Sequence, residues 1–163
     1  MNSMMLEYHS MEDLAYNEGD GHYHLHVPIL REYGTYSNIG VDFVFDTGAF
    51  LTVLTQDSAT RLGFSNCFTI QKDIQLSGFA GGCLADLKEV PGFIIGGRKL
   101  EGVKVAVPHI NTDANILGLN VIEHFKYFID TEHDKIYFDE NPKPEIPELL
   151  RVKKIYVIPS SQI

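Results

Sequence analysis

The sequence predicts an all-β fold, mainly strands with two short helices, in which the strands close into a small barrel or sandwich. Three observations support this. Short runs that alternate apolar and polar side chains recur from residue 22 onward. Turn formers, including a Gly-Gly pair, separate these runs. Only two stretches combine a helical pattern with capping residues, and the length of 163 residues favours one domain with room for a core.

The first two strands are predicted on either side of a turn. Residues 22–30, HYHLHVPIL, alternate in polarity, as expected for a strand with one buried face. The stretch YGTYSN, residues 33–38, is rich in turn formers. Residues 39–46, IGVDFVFD, then form a run of β-branched and aromatic side chains. Together the three segments predict two strands joined by a loop.

Two hairpins are predicted further along the chain. In residues 92–108, β-branched side chains surround Gly96 and Gly97, a pair suited to the positive φ angles of a tight turn. In the stretch YFIDTEHDKIYFD, residues 128–130 are expected to pair with residues 135–138.

The first helix is predicted near Thr55 to Leu62. Thr55 is a suitable N-cap residue, and Gly63 is a suitable residue to end the helix. Asp57 falls in the first turn, where a negative charge interacts favourably with the helix dipole. These signals together predict a short helix directly after the second predicted strand region.

The second helix is predicted near Val121 to Phe128. Asn120 is followed three residues later by Glu123, which is close to the spacing of a capping box. The helical period predicts a buried face made of Val121, Ile122, Phe125 and Phe128.

The two ends of the chain depart from this pattern, so residues 22–140 are predicted to form the domain. Residues 1–21 are acidic and have no sustained period, and we expect a mobile or loosely attached leader. Residues 141–163 begin with a proline-rich stretch typical of an extended linker and continue into an apolar strand, KKIYVIP.

Charge and composition restrict the function. The formal net charge of −9 argues against a nucleic-acid partner, because the phosphate backbone would be repelled. The chain contains no apolar run long enough for a membrane span and no signal-peptide pattern, so we expect a cytoplasmic protein without a membrane partner. The two cysteines, Cys67 and Cys83, are expected to be reduced thiols.

The stretch VDFVFDTGAFLTVL, residues 41–54, interrupts an apolar run with Asp-Thr-Gly. Asp46 lies between Phe45 and a second apolar run that begins at Leu51, so its carboxylate is expected to be partly buried. Burial of an ionised carboxylate is costly unless the group is paired, hydrogen-bonded or shares a proton. Asp46 is therefore either a structural turn residue or a functional carboxylate.

Two downstream features favour the functional interpretation. The stretch LSGFAGG, residues 76–82, is rich in glycine, and Ile-Leu-Gly at residues 116–118 ends a predicted strand just before the second helix. With Asp-Thr-Gly-Ala at 46–49 and Thr-Val-Leu at 52–54, these features resemble the retropepsin-like aspartic proteases, single-domain relatives of pepsin, particularly the bacterial members. The resemblance covers about residues 22–140 and implies the closed acid-protease β-barrel and aspartic endopeptidase activity.

The residue chemistry fits this resemblance. Two carboxylates that share one proton can hydrolyse a peptide bond with water, without a metal or cofactor. The chain contains no second Asp-Thr-Gly or Asp-Ser-Gly, so the second carboxylate must come from Asp46 of another copy. The resemblance implies the same homodimer, with an extended peptide or protein as the substrate.

The resemblance also implies roles for residues around Asp46. Thr47 would hydrogen-bond across the dimer axis, Gly48 and Ala49 would complete the loop, and Gly118 would pack beneath it where a side chain would not fit. A substrate-binding flap would be formed by Gly78, Phe79, Ala80, Gly81 and Gly82. Phe50 departs from the family pattern, which often has Ser, Thr or Asp at that position, and indicates a more apolar cleft.

Two other functions are compatible with the sequence. The fold could serve as a non-catalytic peptide-binding module that uses the groove only to hold its ligand. The alternating His22, His24 and His26 share one strand face and could bind a transition metal, although an exposed strand face is the simpler interpretation. Three further histidines, His109, His124 and His133, are expected at the surface.

The C-terminal strand has two predicted positions. Ile155 and Val157 could pair with a second copy of the chain and enlarge a dimer interface, because the two Asp46 loops alone are too small to hold two chains together. Alternatively, the strand could fold back on its own domain.

Overall fold

The fold is mainly β, as the sequence predicts. The computed structural model describes residues 8–10, 15–17, 19, 21–64, 68–77, 82–139 and 154–157. Within these ranges the helices are α1 (Gln56–Leu62) and α2 (Leu119–Ile122). The strands are β1 (Tyr8–Ser10), β2 (Ala15–Asn17), β3 (His22–Leu30), β4 (Asn38–Phe45), β5 (Thr52–Val53), β6 (Thr69–Leu76), β7 (Cys83–Ile95), β8 (Arg98–Pro108), β9 (Asn115–Leu117), β10 (Tyr127–Asp130), β11 (Lys135–Asp139) and β12 (Lys154–Val157).

The larger sheet closes on itself. Its described strands follow the order β12-β8-β5-β9-β4-β3-β7-β6, with β2 paired to β3, and a further pairing of β8 with β7 completes a ring. Most neighbours are antiparallel, but β4 pairs with β9 and β5 pairs with β8 in parallel. The predicted closed β fold is therefore confirmed.

Both predicted hairpins are present. β7 and β8 pair along their length on either side of Gly96 and Gly97, whose φ angles are 56° and 72°. β10 and β11 pair with Phe128 opposite Tyr137, and β1 adds to the other side of β11 to form a smaller, three-stranded sheet. Glycine is favoured at both positions of the turn between β7 and β8 because both adopt left-handed φ angles.

Helix α1 confirms its predicted signals. The Thr55 side chain accepts a hydrogen bond from the backbone N–H of Ser58, as an N-cap does. Gly63 ends the helix in the left-handed conformation with φ 83°, and Asp57 lies in the first turn.

Helix α2 differs from its prediction. It spans only Leu119–Ile122, begins after Gly118 and has no side-chain cap, so the predicted range of 121–128 and the capping role of Asn120 are wrong. The side-chain amide of Asn120 is engaged in tertiary hydrogen bonds instead. Phe128 lies on β10 and is 53% exposed, whereas the other three residues predicted for the buried face are buried.

The main core lies against the inner face of the closed sheet. Alternate residues of β3 and β4 are buried, which matches the period of two in the sequence. Packing between aromatic side chains joins the smaller sheet and the segment after α2 to this core. The ring centroids of Phe125 and Phe138 are 5.1 Å apart, and those of Phe45 and Phe138 are 6.3 Å apart. Phe45 is the last residue of β4, so this packing also supports the segment that follows it.

The segments outside residues 22–140 contribute three of the described strands. Two of them, β1 and β2, lie within residues 1–21; β1 pairs with β11, and β2 pairs with β3. β12 pairs with β8 of the same chain, which corresponds to the alternative in which the C-terminal strand folds back. The linker residues 140–153 lie outside the described residues.

Two further sequence expectations concern the thiols and the membrane. Cys83 is a free, partly buried thiol, and Cys67 lies outside the described residues. Among the residues that the structure describes, no helix has the length and apolar character needed to cross a membrane.

Replacement of Phe138 by alanine should destabilise the fold strongly. Phe138 is 1% exposed and packs against two other aromatic rings, so truncation removes buried area and leaves a cavity. We expect a loss of about 3–5 kcal/mol in the free energy of unfolding, measured by urea denaturation. Phe128→Ala, on the neighbouring strand at 53% exposure, is the matched control and should change it by less than about 0.5 kcal/mol. Equal losses in the two variants would contradict the described core.

Candidate active site

Asp46 lies in a tight loop, residues 46–51, that follows β4; we call it the Asp46 loop. The backbone N–H of Asp46 donates to the carbonyl oxygen of Leu117 at 3.1 Å. The N–H of Gly48 donates to Oδ1 of Asp46 at 2.8 Å, and the N–H of Ala49 donates to the Asp46 carbonyl oxygen at 3.3 Å. These bonds orient a carboxylate that remains partly exposed.

Parallel strand pairing brings two motifs of the sequence, Asp-Thr-Gly at 46–48 and Ile-Leu-Gly at 116–118, to the same edge of the sheet. β4 and β9 run in parallel, with Phe45 opposite Leu117. Because parallel strands end at the same side, Asp46 and Gly118 follow their strands as neighbours. β5, which begins just after the Asp46 loop, pairs with β9 as well.

Gly118 lies so close to the Asp46 loop that it has no room for a side chain. A Cβ atom at this position would lie 2.6 Å from both the carbonyl carbon and the oxygen of Leu51, and 2.9 Å from the backbone nitrogen of Thr52. Its φ of −102° is open to any residue, so the requirement for glycine is purely steric. The backbone of the loop therefore rests directly on the backbone of Gly118.

The first residues of α2 hold two carbonyl groups of the loop. The N–H of Leu119 donates to the carbonyl oxygen of Ala49 at 2.8 Å, and the N–H of Asn120 donates to that of Phe50 at 3.1 Å. Both donors belong to the first turn of a helix, where backbone N–H groups have no partner within the helix. The loop supplies the missing acceptors.

A buried polar network completes the support. Oδ1 of Asn120 accepts hydrogen bonds from both the N–H and the hydroxyl of Thr52, each at 2.8 Å. The Thr52 hydroxyl also accepts from the N–H of Gly118 at 3.0 Å, and Nδ2 of Asn120 donates to the Lys104 carbonyl oxygen at 2.7 Å. Thr52 and Asn120 are 0% and 3% exposed, so these bonds fix β5 to α2 away from water.

Sequence reasoning missed this network. It placed Thr52 and Asn120 within matching motifs but gave Thr52 no role and gave Asn120 a capping role. The available signal was a single polar residue among apolar ones in each of two stretches, LTVL at residues 51–54 and LNVI at residues 119–122. Buried polar side chains normally have hydrogen-bond partners, so each predicts a partner, although not which one.

The remaining predicted site residues belong in sequence either to the Asp46 loop or to the segment between β6 and β7. Thr47 and Gly48 are exposed and Ala49 is partly exposed. At the end of the hairpin Leu76 pairs with Cys83, and Gly82 adopts a φ of +100°. The other four residues of the predicted flap, Gly78, Phe79, Ala80 and Gly81, lie outside the described residues. The flap therefore remains a prediction.

Within the described residues, His22, His24 and His26 do not form a group of potential metal ligands, so the exposed strand face stays the simpler interpretation. His26 pairs with Asp42, with Nδ1 and Oδ1 2.6 Å apart. Two groups of three potential ligands occur in the described part of the chain, and neither includes His22, His24 or His26. The members of these groups are Asp73, Asp86 and His109 in one and Asp130, Glu132 and His133 in the other.

The other histidines differ in their surroundings. His124 is 1% exposed, so the expected surface position is wrong for this residue. His109 is exposed and hydrogen-bonds through Nε2 to Oδ1 of Asp86 at 2.9 Å. This bond is the main reason that the pKa of Asp86 is lowered from its ordinary value. His133 lowers the pKa of Asp130 in the same way.

Sequence comparison connects the chain to proteases. A family model described as aspartyl protease matches residues 34–121, which include the Asp46 loop and Gly118. The uncharacterized protein RP867 of Rickettsia prowazekii (strain Madrid E) is 26% identical over 117 residues, which cover 72% of this chain and 47% of that protein. The chain therefore spans about half the length of this curated relative.

Two solved structures share the fold. A retropepsin-like aspartic protease from Rickettsia conorii aligns with a TM-score of 0.58 at 22% identity, covering 82% of this chain and 92% of that chain. The EIAV protease, in complex with the inhibitor HBY-793, aligns with a TM-score of 0.50 at 19% identity, covering 66% of this chain and 90% of that chain. The strand arrangement around the Asp46 loop therefore belongs to a known architecture.

Replacement of Asn120 by alanine should weaken the support of the Asp46 loop. The variant removes the buried side-chain amide to which the N–H and hydroxyl of Thr52 donate, and which itself donates to the Lys104 carbonyl oxygen. We expect a loss of about 1–3 kcal/mol in the free energy of unfolding, measured by chemical denaturation. Asn111→Ala, at an exposed position, is the control and should be close to neutral. If Asn120→Ala is as stable as this control, the network does not support the loop.

Proposed function

Since this chain belongs to the retropepsin-like aspartyl protease family, we propose that it is an aspartic endopeptidase that works as a homodimer. The observation that carries the proposal is the partly exposed carboxylate of Asp46 at the end of β4, oriented by the N–H of Gly48. The loop around it is held by Gly118 and the first turn of α2. A carboxylate held in this way is suited to general acid–base chemistry at a fixed position.

The proposed reaction needs two carboxyl groups that share one proton. The ionised group takes a proton from water, whose oxygen attacks the carbonyl carbon of the peptide bond, while the protonated group donates its proton to the carbonyl oxygen. Proton transfer to the amide nitrogen then accompanies cleavage of the carbon–nitrogen bond, which releases a carboxylic acid and an amine. This scheme requires neither a metal nor a cofactor.

The second carboxyl group is proposed to be Asp46 of a second copy. The closest sequences to another Asp-Thr-Gly are Asp130-Thr131-Glu132 and Leu76-Ser77-Gly78, and neither contains all three residues. A two-fold axis beside the Asp46 loop would place two identical carboxylates face to face. The exposure of Thr47 and Gly48 in the single chain leaves this side of the loop open for a partner.

The residues around Asp46 are proposed to position it. The Thr47 hydroxyl would hydrogen-bond to the partner loop across the axis and keep the two carboxylates together. Gly48 would allow close approach of the substrate, and Ala49 would keep the loop anchored to α2 through its carbonyl group. Residues 78–82, at the end of the β6–β7 hairpin, would close as a flap over a peptide in an extended conformation.

The alternative is a module of the same fold that binds peptides without cutting them. Both functions would place a peptide beside the Asp46 loop, but only the protease requires the carboxylate of Asp46. Retention of full peptide affinity without Asp46, combined with the absence of any cleavage by the unaltered chain, would favour the binding module.

Replacement of Asp46 by asparagine should abolish proteolysis. The amide keeps the size of the side chain but can neither accept the proton of water nor share a proton with a partner carboxylate. We expect cleavage of an unstructured protein, followed by mass spectrometry across a range of pH, to fall by about 10²–10⁴-fold.

The matched control is Asp113→Asn, which removes an exposed carboxylate elsewhere. It should cleave as the unaltered chain does, and both variants should have unchanged circular dichroism spectra. Cleavage by Asp46→Asn at the level of this control would rule out the proposed chemistry.

A further inference from the structure

Three side chains with metal-ligating groups meet at the surface formed by β6, β7 and the end of β8. Asp73 belongs to β6, Asp86 belongs to β7, and His109 directly follows β8. Their ligand atoms, one from each residue, all lie within 4.8 Å of one another. Asp86 is 13 positions from Asp73 and 23 positions from His109, so tertiary structure rather than a local turn assembles the group.

The distances within this group match those of a tetrahedral metal site. Nε2 of His109 lies 2.9 Å from Oδ1 of Asp86 and 3.6 Å from Oδ1 of Asp73. Zinc binds imidazole nitrogen and carboxylate oxygen at about 2.0–2.2 Å, which places neighbouring ligands of a tetrahedron about 3.3–3.5 Å apart. Small side-chain shifts bring both distances into this range. The ion would then replace the hydrogen bond between His109 and Asp86, with Nε2 deprotonated.

Backbone contacts already hold the ligands near these positions. The N–H of His109 donates to the carbonyl oxygen of Leu84 at 2.9 Å, and its carbonyl oxygen accepts from Nε2 of Gln56 at 2.7 Å. Asp86 lies in the part of β7 that pairs with β8, and the N–H of Asp73 donates to Oδ1 of Asp86 at 3.2 Å. Because the segments are ordered before an ion arrives, binding costs less conformational entropy.

A pocket beside the group provides room for further ligands. It has a volume of about 210 Å³, lies between α1 and the β7–β8 hairpin, and is lined by Asp86 and His109 among others. A metal held by three protein ligands needs at least one more ligand, such as water, and the pocket can hold it. Lys88 also lines the pocket, and its ammonium group donates to the hydroxyl of Thr69 at 2.8 Å. Two carboxylates against one ammonium leave the surroundings negative when His109 is neutral, which favours a cation.

We propose that Asp73, Asp86 and His109 bind a divalent transition-metal ion, with zinc as the best match. The imidazole nitrogen favours this class of ion over Ca²⁺ and Mg²⁺, which take oxygen ligands. The ion would join β6 and β7 to the end of β8 and so stabilise the hairpin that leads into the predicted flap. The proposal is independent of protease activity, because metal binding is measured without a substrate.

The test measures zinc binding by the full-length chain. The chain, free of affinity tags, is treated with a chelator and dialysed, and Zn²⁺ alone is titrated by isothermal calorimetry. We expect one ion per chain and a higher thermal midpoint with Zn²⁺, because an ion that binds only the folded chain stabilises it. Asp86→Asn and His109→Ala should each weaken binding at least about tenfold, since loss of even an indirect partner of a metal ligand costs about 10–100-fold.

His133→Ala is the matched control. His133 is an exposed histidine whose Nδ1 hydrogen-bonds to Oδ2 of Asp130 at 2.7 Å, and it belongs to the second group of potential ligands, which lies within residues 130–133. This variant should bind Zn²⁺ as the unaltered chain does. Asp73→Asn changes an exposed side chain, so it tests the third ligand without disturbing the core, and it should also weaken binding. Circular dichroism in the presence of the chelator checks the folding of every variant.

The outcomes are distinguishable. Failure of the unaltered chain to bind Zn²⁺, or equal binding by this chain and the three ligand variants, would overturn the proposal. Loss of binding in His133→Ala alone would also overturn it and would assign the ion to the turn between β10 and β11. Equal affinities for Ca²⁺ and Zn²⁺ would contradict a transition-metal site and would indicate attraction to an acidic surface. Tetrahedral absorption bands of Co²⁺ in the unaltered chain that disappear in His109→Ala would support the proposed ligands.

Discussion

The contact between the backbone of Gly118 and the backbone of Leu51 is the constraint on which the rest of the site depends. With a hypothetical Cβ atom only 2.6 Å from the Leu51 carbonyl group, any side chain would force the two segments apart. Their contact allows the first N–H groups of α2 to reach the loop carbonyls and allows Asn120 to reach Thr52. The carboxylate of Asp46 is thus oriented by the N–H of Gly48, within a loop whose carbonyl groups are bonded to α2.

Parallel pairing inside a mainly antiparallel sheet makes this contact possible. β4 and β9 end at the same edge, and β5 returns between β9 and β8 immediately after the loop. Phe45 and Leu117, which end β4 and β9, are buried, so the loop is anchored to the core. A rigid frame around a partly exposed carboxylate suits chemistry that needs a second carboxylate at a defined separation.

Local signals in the sequence were sufficient for much of the fold. Gly96 and Gly97 predicted the turn between β7 and β8 because few other residues adopt both φ angles, and Thr55 with Gly63 predicted the limits of α1. The predicted range and cap of the second helix were wrong because Asn120, a good capping residue in isolation, bonds instead to Thr52, 68 positions away. Local spacing carries no information about such a partner.

The motifs of the site could be predicted from the sequence, but the contacts between them could not. The motif at Asp46 and the glycine at 118 could be recognised in the sequence, but their contact depends on a parallel pairing between distant strands. The association of His109 with Asp86 likewise depends on the pairing of β7 with β8, and the sequence predicted only a surface position for this histidine. Regular alternation, by contrast, suggested a shared site for His22, His24 and His26, but the described part of the chain brings no further ligands to them.

The most direct test of the account is an activity measurement on mixed dimers. Unaltered chain and Asp46→Asn chain are unfolded together in varying proportions, refolded and assayed at constant total concentration. If each active site needs one Asp46 from each of two chains, an equal mixture should retain only about one quarter of the activity, because random pairing leaves that share of dimers with both carboxylates. Activity that falls in simple proportion to the unaltered chain, to about one half, would show that a single chain suffices and would contradict the shared site.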